Sequence, residues 1–155
     1  MAELTAIWLK RARGGPMDAK QEARVVPGRG LEGNANQGGH RQVTLLGAEA
    51  WERAEAELGR SVDPSARRAN LMVRGVELSE SSGRVLCVGV CRILVRGEAH
   101  SCRRMDEALP GLQAALAPEW RAGIYGEVLT GGVIALGNPV AWEPVAAVEA
   151  EPPMQ

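Results

Sequence analysis

Short apolar runs separated by glycine, proline and charged clusters set the texture of this chain, and that texture predicts strands more than long helices. Leu4 to Leu9, LTAIWL, reads as a first strand, and Glu22 to Val26 as a second, ended by Pro27. Between them Arg11 to Ala19, rich in Gly, Pro and charge, reads as a loop. Gln42 to Leu46 is a further strand. The clearest helix spans Gly47 to Leu58, with apolar Ala48, Trp51, Ala54 and Leu58 at helical spacing and a stop at Gly59. Leu71 and Val73 predict a strand that exits through Gly75, and Ser79 to Gly83 a polar turn. Val85–Val88 and Cys91–Arg96 then form a hairpin around Gly89. A Gly97–Ser101 loop leads to Cys102, a helical run opens at Met105 and Asp106, and Pro110-Gly111 separates it from a short turn at Leu112–Leu116. From Gly123 to Trp142, glycines punctuate Val, Ile and Leu runs, the pattern of strands with tight turns in a barrel or sandwich. The expected fold is mainly β (α+β), with a few short helices.

Composition sharpens this picture. The 155 residues suit one domain spanning 1–155. With no Phe, the core relies on Val, Leu, Ile and Ala, with four Trp and Tyr125 as the large pieces. A net charge of −1 gives no call for nucleic acid or an anionic membrane. No apolar run approaches a membrane span, and the first twenty residues lack a signal-peptide core. Three cysteines cannot all pair internally, so a reduced, cytoplasmic setting is expected. The acidic, Pro-containing tail from 144 to 155 is expected to be flexible.

Three features carry candidate chemistry. Cys102 is followed at once by Arg103 and Arg104 and lies near a helix start, surroundings that favour a thiolate. A thiolate is both a nucleophile and a soft metal ligand, although an ordinary loop thiol fits the same context. The segment Gly28 to Arg41 carries glycines at 28, 30, 33, 38 and 39, which allow backbone amides to approach a ligand. Arg67, Arg68 and Arg74 form the third feature, suited to anion recognition. Cys87 and Cys91, inside β runs, read as buried structural thiols, and His40 and His100 as solvated loop histidines. No Walker loop, GxSxG elbow or HExxH is present.

The blocks GLEGN…GGHRQVTLL, RRANLMVRGVEL, LVRGEAHSCRRMDE and WRAGIYGEVLTGGVIALGNPV, in that order, resemble the MOSC domain, named for the C-terminal domain of molybdenum-cofactor sulfurases. The resemblance covers about residues 28–142. It implies a β-rich barrel and a thiol-centred site for a molybdenum cofactor of the molybdopterin type. Cys102 falls on the family's characteristic cysteine, a molybdenum ligand in oxidoreductase members and a proposed sulfur carrier in others. Arg68 and Asn70 match its Arg-x-Asn element. Gly30, Gly33 and Arg41 match its glycine-rich segment, and Arg121, Gly123 and Gly132 its C-terminal block; Arg103 flanks the cysteine. The resemblance implies an oxidoreductase reducing N-hydroxylated compounds, or a handler of cofactor sulfur. A non-catalytic cofactor carrier or a metal-free persulfide carrier are the alternatives. Three positions depart from many relatives: Asn34 in place of Asp, Asn36 in place of His, and Ser101 in place of Pro. The chain carries neither a desulfurase nor a ferredoxin domain, so sulfur or electrons would come from a separate protein. Pyridoxal phosphate, sometimes associated with such domains, needs a Schiff-base lysine. Only Lys10 and Lys20 exist, and neither supports that cofactor.

Overall fold

The computed structural model describes residues 2–144 of the chain. Eight strands form one sheet in the order β11-β7-β8-β9-β5-β6-β1-β2. They are β1 (Glu3–Lys10), β2 (Met17–Lys20), β5 (Val43–Gly47), β6 (Leu71–Arg74), β7 (Val85–Val88), β8 (Cys91–Glu98), β9 (Ile124–Thr130) and β11 (Val140–Trp142). A three-stranded sheet sets β3 (Glu22–Val26) between β10 (Gly132–Ala135) and β4 (Gly30–Leu31). The pairings are antiparallel except β5 with β6, where Leu45 faces Leu71 in a parallel register.

The main core lies among these strands and is built of Leu4, Ile7, Leu31, Leu45, Leu71, Leu86, Ile93 and Ile124, each essentially removed from water. A second core packs beneath the helices. Leu46 of β5 and Ala69 meet Trp51 and Ala54 of α1 (Ala48–Leu58), Met105 of α2 (Arg104–Ala108) and Leu112 of α3 (Leu112–Ala115). Trp51 donates its indole N–H to the Val62 carbonyl, and Gly59 closes α1 in the left-handed conformation. The sequence reading of this helix and of most strands holds.

Mainly-β architecture is as expected, but the barrel is corrected. The sheet does not close into a continuous ladder: the start of β1 meets residues 137–140 at an isolated bridge, Glu3 with Pro139, flanked by Leu4 N–H to the Asn138 carbonyl, Gly137 N–H to the Leu4 carbonyl and Val140 N–H to the Ala2 carbonyl. Met17–Lys20, expected as loop, is an edge strand on β1. Edge pairing needs only backbone groups, so its side chains, half-buried at Met17 and Asp18 and exposed at Ala19 and Lys20 without alternation, gave no signal. Strand β8 continues two residues past Arg96, because Gly97 and Glu98 pair with Tyr125 and Ile124. Of the expected flexible tail, 145–155 lies outside the described residues. Among the described residues no helix is long and apolar enough to cross a membrane.

Candidate functional site

Four segments distant in sequence converge. Lys10 ends β1 and Arg13 sits in the turn that follows. The glycine-rich segment, ending in Arg41, leads into β5. A 3-10 turn, Pro64–Arg67, delivers Arg67 and Arg68 to the start of β6, and Cys102 stands just before α2. The packing of α2 against the 3-10 turn, through Ala69 and Met105 in the second core, brings the cysteine to the arginines.

Arg67 is the buried member of this cluster. It is only 6% exposed, and its Nε donates to the Ala122 carbonyl at 2.7 Å, while its Nη2 is buried without a partner. Burial lowers its pKa to about 10; the Arg41 charge adds to the effect and the Cys102 charge opposes it. Arg68, held at a left-handed φ of 65°, likewise buries an Nη2 without a partner. Its pKa is lowered by burial and by Arg104, again against Cys102. Lys10 is lowered by burial and then by Arg68, Arg13, Arg41 and Arg104. Arg11 pairs with Asp18, Arg92 with Glu143, Arg96 with Glu127 and Arg121 with Glu57, while Arg24, Arg29, Arg53, Arg60 and Arg84 have no salt bridge among the described residues and are scattered rather than clustered. Among the described residues, none of Lys10, Arg13, Arg41, Arg67, Arg68, Arg103 and Arg104 forms a salt bridge. Concentrated, unpaired positive charge with buried N–H groups left over is chemically suited to an anion, since an unmade bond to a charged donor costs more than a neutral one.

Cys102 is exposed, at the surface of this field. Arg103 follows it as the exposed residue preceding α2. Arg41 stands with its guanidinium 5.2 Å from the Tyr125 ring centre. Other expected site residues serve the frame. The Asn70 side chain is buried: its Oδ1 accepts from Thr44 N and its Nδ2 donates to the Trp8 carbonyl, tying β1, β5 and β6 together. Arg121 is clamped by Glu57 and Glu119 and donates to the Ala115 carbonyl. Gly123 cannot carry a side chain, because a Cβ there would lie 2.0 Å from the Leu45 carbonyl oxygen. Arg121 and Gly123 flank Ala122, whose carbonyl holds Arg67, so they act on the cleft through it. Gly30 backs onto the Gln42 carbonyl, Gly33 lies beside Leu9, and Gly132 meets Val90 in the smaller sheet, outside the cluster. Asn34 pins the glycine-rich segment, accepting from Lys10 N and donating to the Asn36 carbonyl.

Two readings change. Arg74 does not join Arg67 and Arg68; it pairs with Glu52 and Glu49 on α1. Cys87 is half-buried rather than buried, its Sγ 3.9 Å from Glu143, while Cys91 is buried as expected. Burial raises the pKa of both. His40 is exposed but not free, its Nδ1 bonded to Glu127. Lys10 and Arg13 escaped sequence reading. Their only signal was the charge of LKRAR at a strand end.

The sequence model of one family, described as the MOSC domain, matches residues 21–141. No curated protein matches the chain in sequence. The fold is shared with solved structures of low identity. The YuaD protein of Bacillus subtilis aligns with a TM-score of 0.76 at 17% identity, over 90% of this chain and 94% of that one. YiiM of Geobacillus stearothermophilus aligns at 0.71 and 19% identity, over 93% and 76%. YiiM of Escherichia coli aligns at 0.67 and 17% identity, over 100% and 80%.

Proposed function

Since the chain belongs to the MOSC domain family, which is associated with the molybdenum cofactor, we propose that it binds this cofactor at the Arg67–Arg68–Cys102 cleft. There it serves as an oxidoreductase for N-hydroxylated compounds or a handler of cofactor sulfur. One observation carries the reading: two guanidinium Nη2 groups, of Arg67 and Arg68, are buried without partners beside an exposed thiol. The cofactor's phosphate and oxygen atoms are acceptors of the kind those groups lack.

Among the described residues no three His, Cys, Asp or Glu side chains gather as a metal site. The donor set therefore fits a metal that brings its own sulfur ligands and takes one thiolate, Cys102, from the protein. When bound, the cofactor supplies two-electron and oxygen-atom chemistry. The chain's own residues do the rest. Arg67 and Arg68 hold the anion, Ala122 fixes Arg67, and Asn34 keeps the glycine-rich wall against the end of β1. Reduction of R–NHOH to R–NH2 and water consumes two protons and two electrons, the electrons coming from a separate donor protein. The runner-up is a cofactor carrier. It is favoured by Asn34, whose amide is spent on backbone groups and offers no proton.

Expression in a cofactor-producing host, with molybdenum and pterin measured on the purified protein, tests the reading. We expect about one molybdenum per chain, hydroxylamine-type reduction with a chemical reductant, and loss of that reduction in Cys102→Ala with the fold retained. Full activity in Cys102→Ala would overturn the catalytic role. Cofactor held without turnover would select the carrier, and a Cys102 persulfide without molybdenum would select a sulfur carrier.

A further inference from the structure

Arg41, Arg67 and Arg68 stand before the starts of β5 and β6. The same parallel strands end at Gly47 and Arg74, and at that far end lies a recess of about 280 Å³. Ala50 of α1, Val76, the buried Leu78 and half-buried Trp120 give it an apolar wall. It shares Trp120, Arg53 and Glu77 with an outer bowl of about 780 Å³, rimmed by Ser79, Glu80 and Glu119.

Backbone, ring and charge each mark this place. Four non-glycine residues among the described ones hold a left-handed φ. Arg68 is one, and the others, Glu80, Glu119 and Trp120, all line the bowl. That conformation crowds Cβ against the backbone, so the fold holds Trp120 in position against a local preference. Among the described residues, Arg41 stacks on the Tyr125 ring and Arg84 on the Trp142 ring, while Trp8 and Trp51 are buried. Trp120 alone of the large aromatic rings borders open space with no cation over its face. The rim is negative. Glu77 and Glu80 form no salt bridge among the described residues. Glu49 and Glu119 share Arg74 and Arg121 with further carboxylates, Glu52 and Glu57. Against them stands one guanidinium without a carboxylate partner among the described residues, that of exposed Arg53.

We propose that this recess binds a small organic cation with an apolar body, in its simplest form an arylalkyl ammonium. The apolar body lies against Val76, Leu78 and the Trp120 ring. The charged head meets the face of that ring and the carboxylates of Glu77 and Glu80. A neutral isostere gains only the apolar part, and an anion meets repulsion from the rim. The site is separate from the Cys102 cleft and does not rest on the cofactor reading.

Phenethylamine, phenethyl alcohol and hydrocinnamate are titrated calorimetrically into the full chain at neutral pH and low ionic strength. The amine, charged there, should bind at least about tenfold more tightly than the alcohol, as a partly desolvated cation on an indole face does. The carboxylate should bind more weakly than either. Trp120→Leu should remove most of the amine's advantage, and Trp120→Phe should keep much of it. Because Trp120 also packs on the main core, a second variant combines Glu77→Gln with Glu80→Gln, both at exposed positions. It should cut the advantage roughly threefold, the scale of a solvent-facing ion pair, with Tm unchanged. Cys102→Ala should leave all three titrations as they were. Equal binding of amine and alcohol, or no binding of the amine, overturns the proposal. Tighter binding of the carboxylate does the same and would give the site to Arg53. An advantage that survives both Trp120→Leu and the double glutamine variant would put the cation elsewhere and refute it as well.

Discussion

Replacing Arg67 by Met separates a residue kept for binding from one kept for stability. Its pKa falls from the ordinary guanidinium range to about 10, mainly through burial. At 1.36 kcal/mol per pKa unit, holding the charged guanidinium in this buried position costs the fold on the order of 3 kcal/mol. Against that stands the Nε bond to the Ala122 carbonyl, worth about 1.5–3 kcal/mol as a charged hydrogen bond. Met fills the aliphatic volume and removes both. The two terms nearly cancel, so chemical denaturation should shift the unfolding free energy of the cofactor-free protein by less than about 1.5 kcal/mol. A purely structural buried charge, by contrast, costs about 3–5 kcal/mol when its partner is lost. Molybdenum content of Arg67→Met made in a cofactor-producing host should fall at least about tenfold, one charged contact or more. A loss of stability of several kcal/mol with undiminished molybdenum would refute the argument.

Other consequences are simpler to measure. Iodoacetamide should label Cys102 well before Cys91 and Cys87, since the first is exposed and burial raises the pKa of the other two; peptide mass spectrometry reads the order. Gly123→Ala, with its Cβ against the Leu45 carbonyl and φ at 104°, should cost about 2–5 kcal/mol. Gly38→Ala, with open space at φ 77°, should cost only about 1–2 kcal/mol; thermal unfolding compares them. The Arg92 hydrogen bond holds the Glu143 carboxyl below its ordinary range. Its contribution is therefore present above that range and is lost as pH falls through the folded value. Glu143→Gln should lower Tm slightly at pH 7, and the difference should shrink as the pH falls through the folded value.

Much of this architecture was legible in the chain, and the exceptions have physical reasons. Helix α1 announced itself through Trp51 and Ala54 on one face and Gly59 at the stop, because amphipathic spacing and a left-handed cap are local signals. Strand β2 did not, because its place is set by the β1 backbone rather than by its own side chains. For the site, Arg68, Arg41 and Cys102 were visible as residue types in a family's order. That Arg74 turns to α1 while Lys10 and Arg13 join the cleft depends on strand register and direction, which no window of sequence holds. Asn70 and Gly123 were assigned to the cofactor side by position alone, and no sequence pattern showed that Asn70 also bonds Thr44 and the Trp8 carbonyl or that Gly123 backs onto the Leu45 carbonyl.

The parallel pair β5 and β6 deserves its place in an otherwise antiparallel sheet. Two neighbours running the same way begin at the same end, so the segment before each, 38–41 and 67–70, arrives on one side of the molecule. The chain between them returns through α1 on a separate route. The return path, anchored to α1 where Val62 meets Trp51 and Glu55, therefore leaves unchanged the end from which both segments enter the sheet.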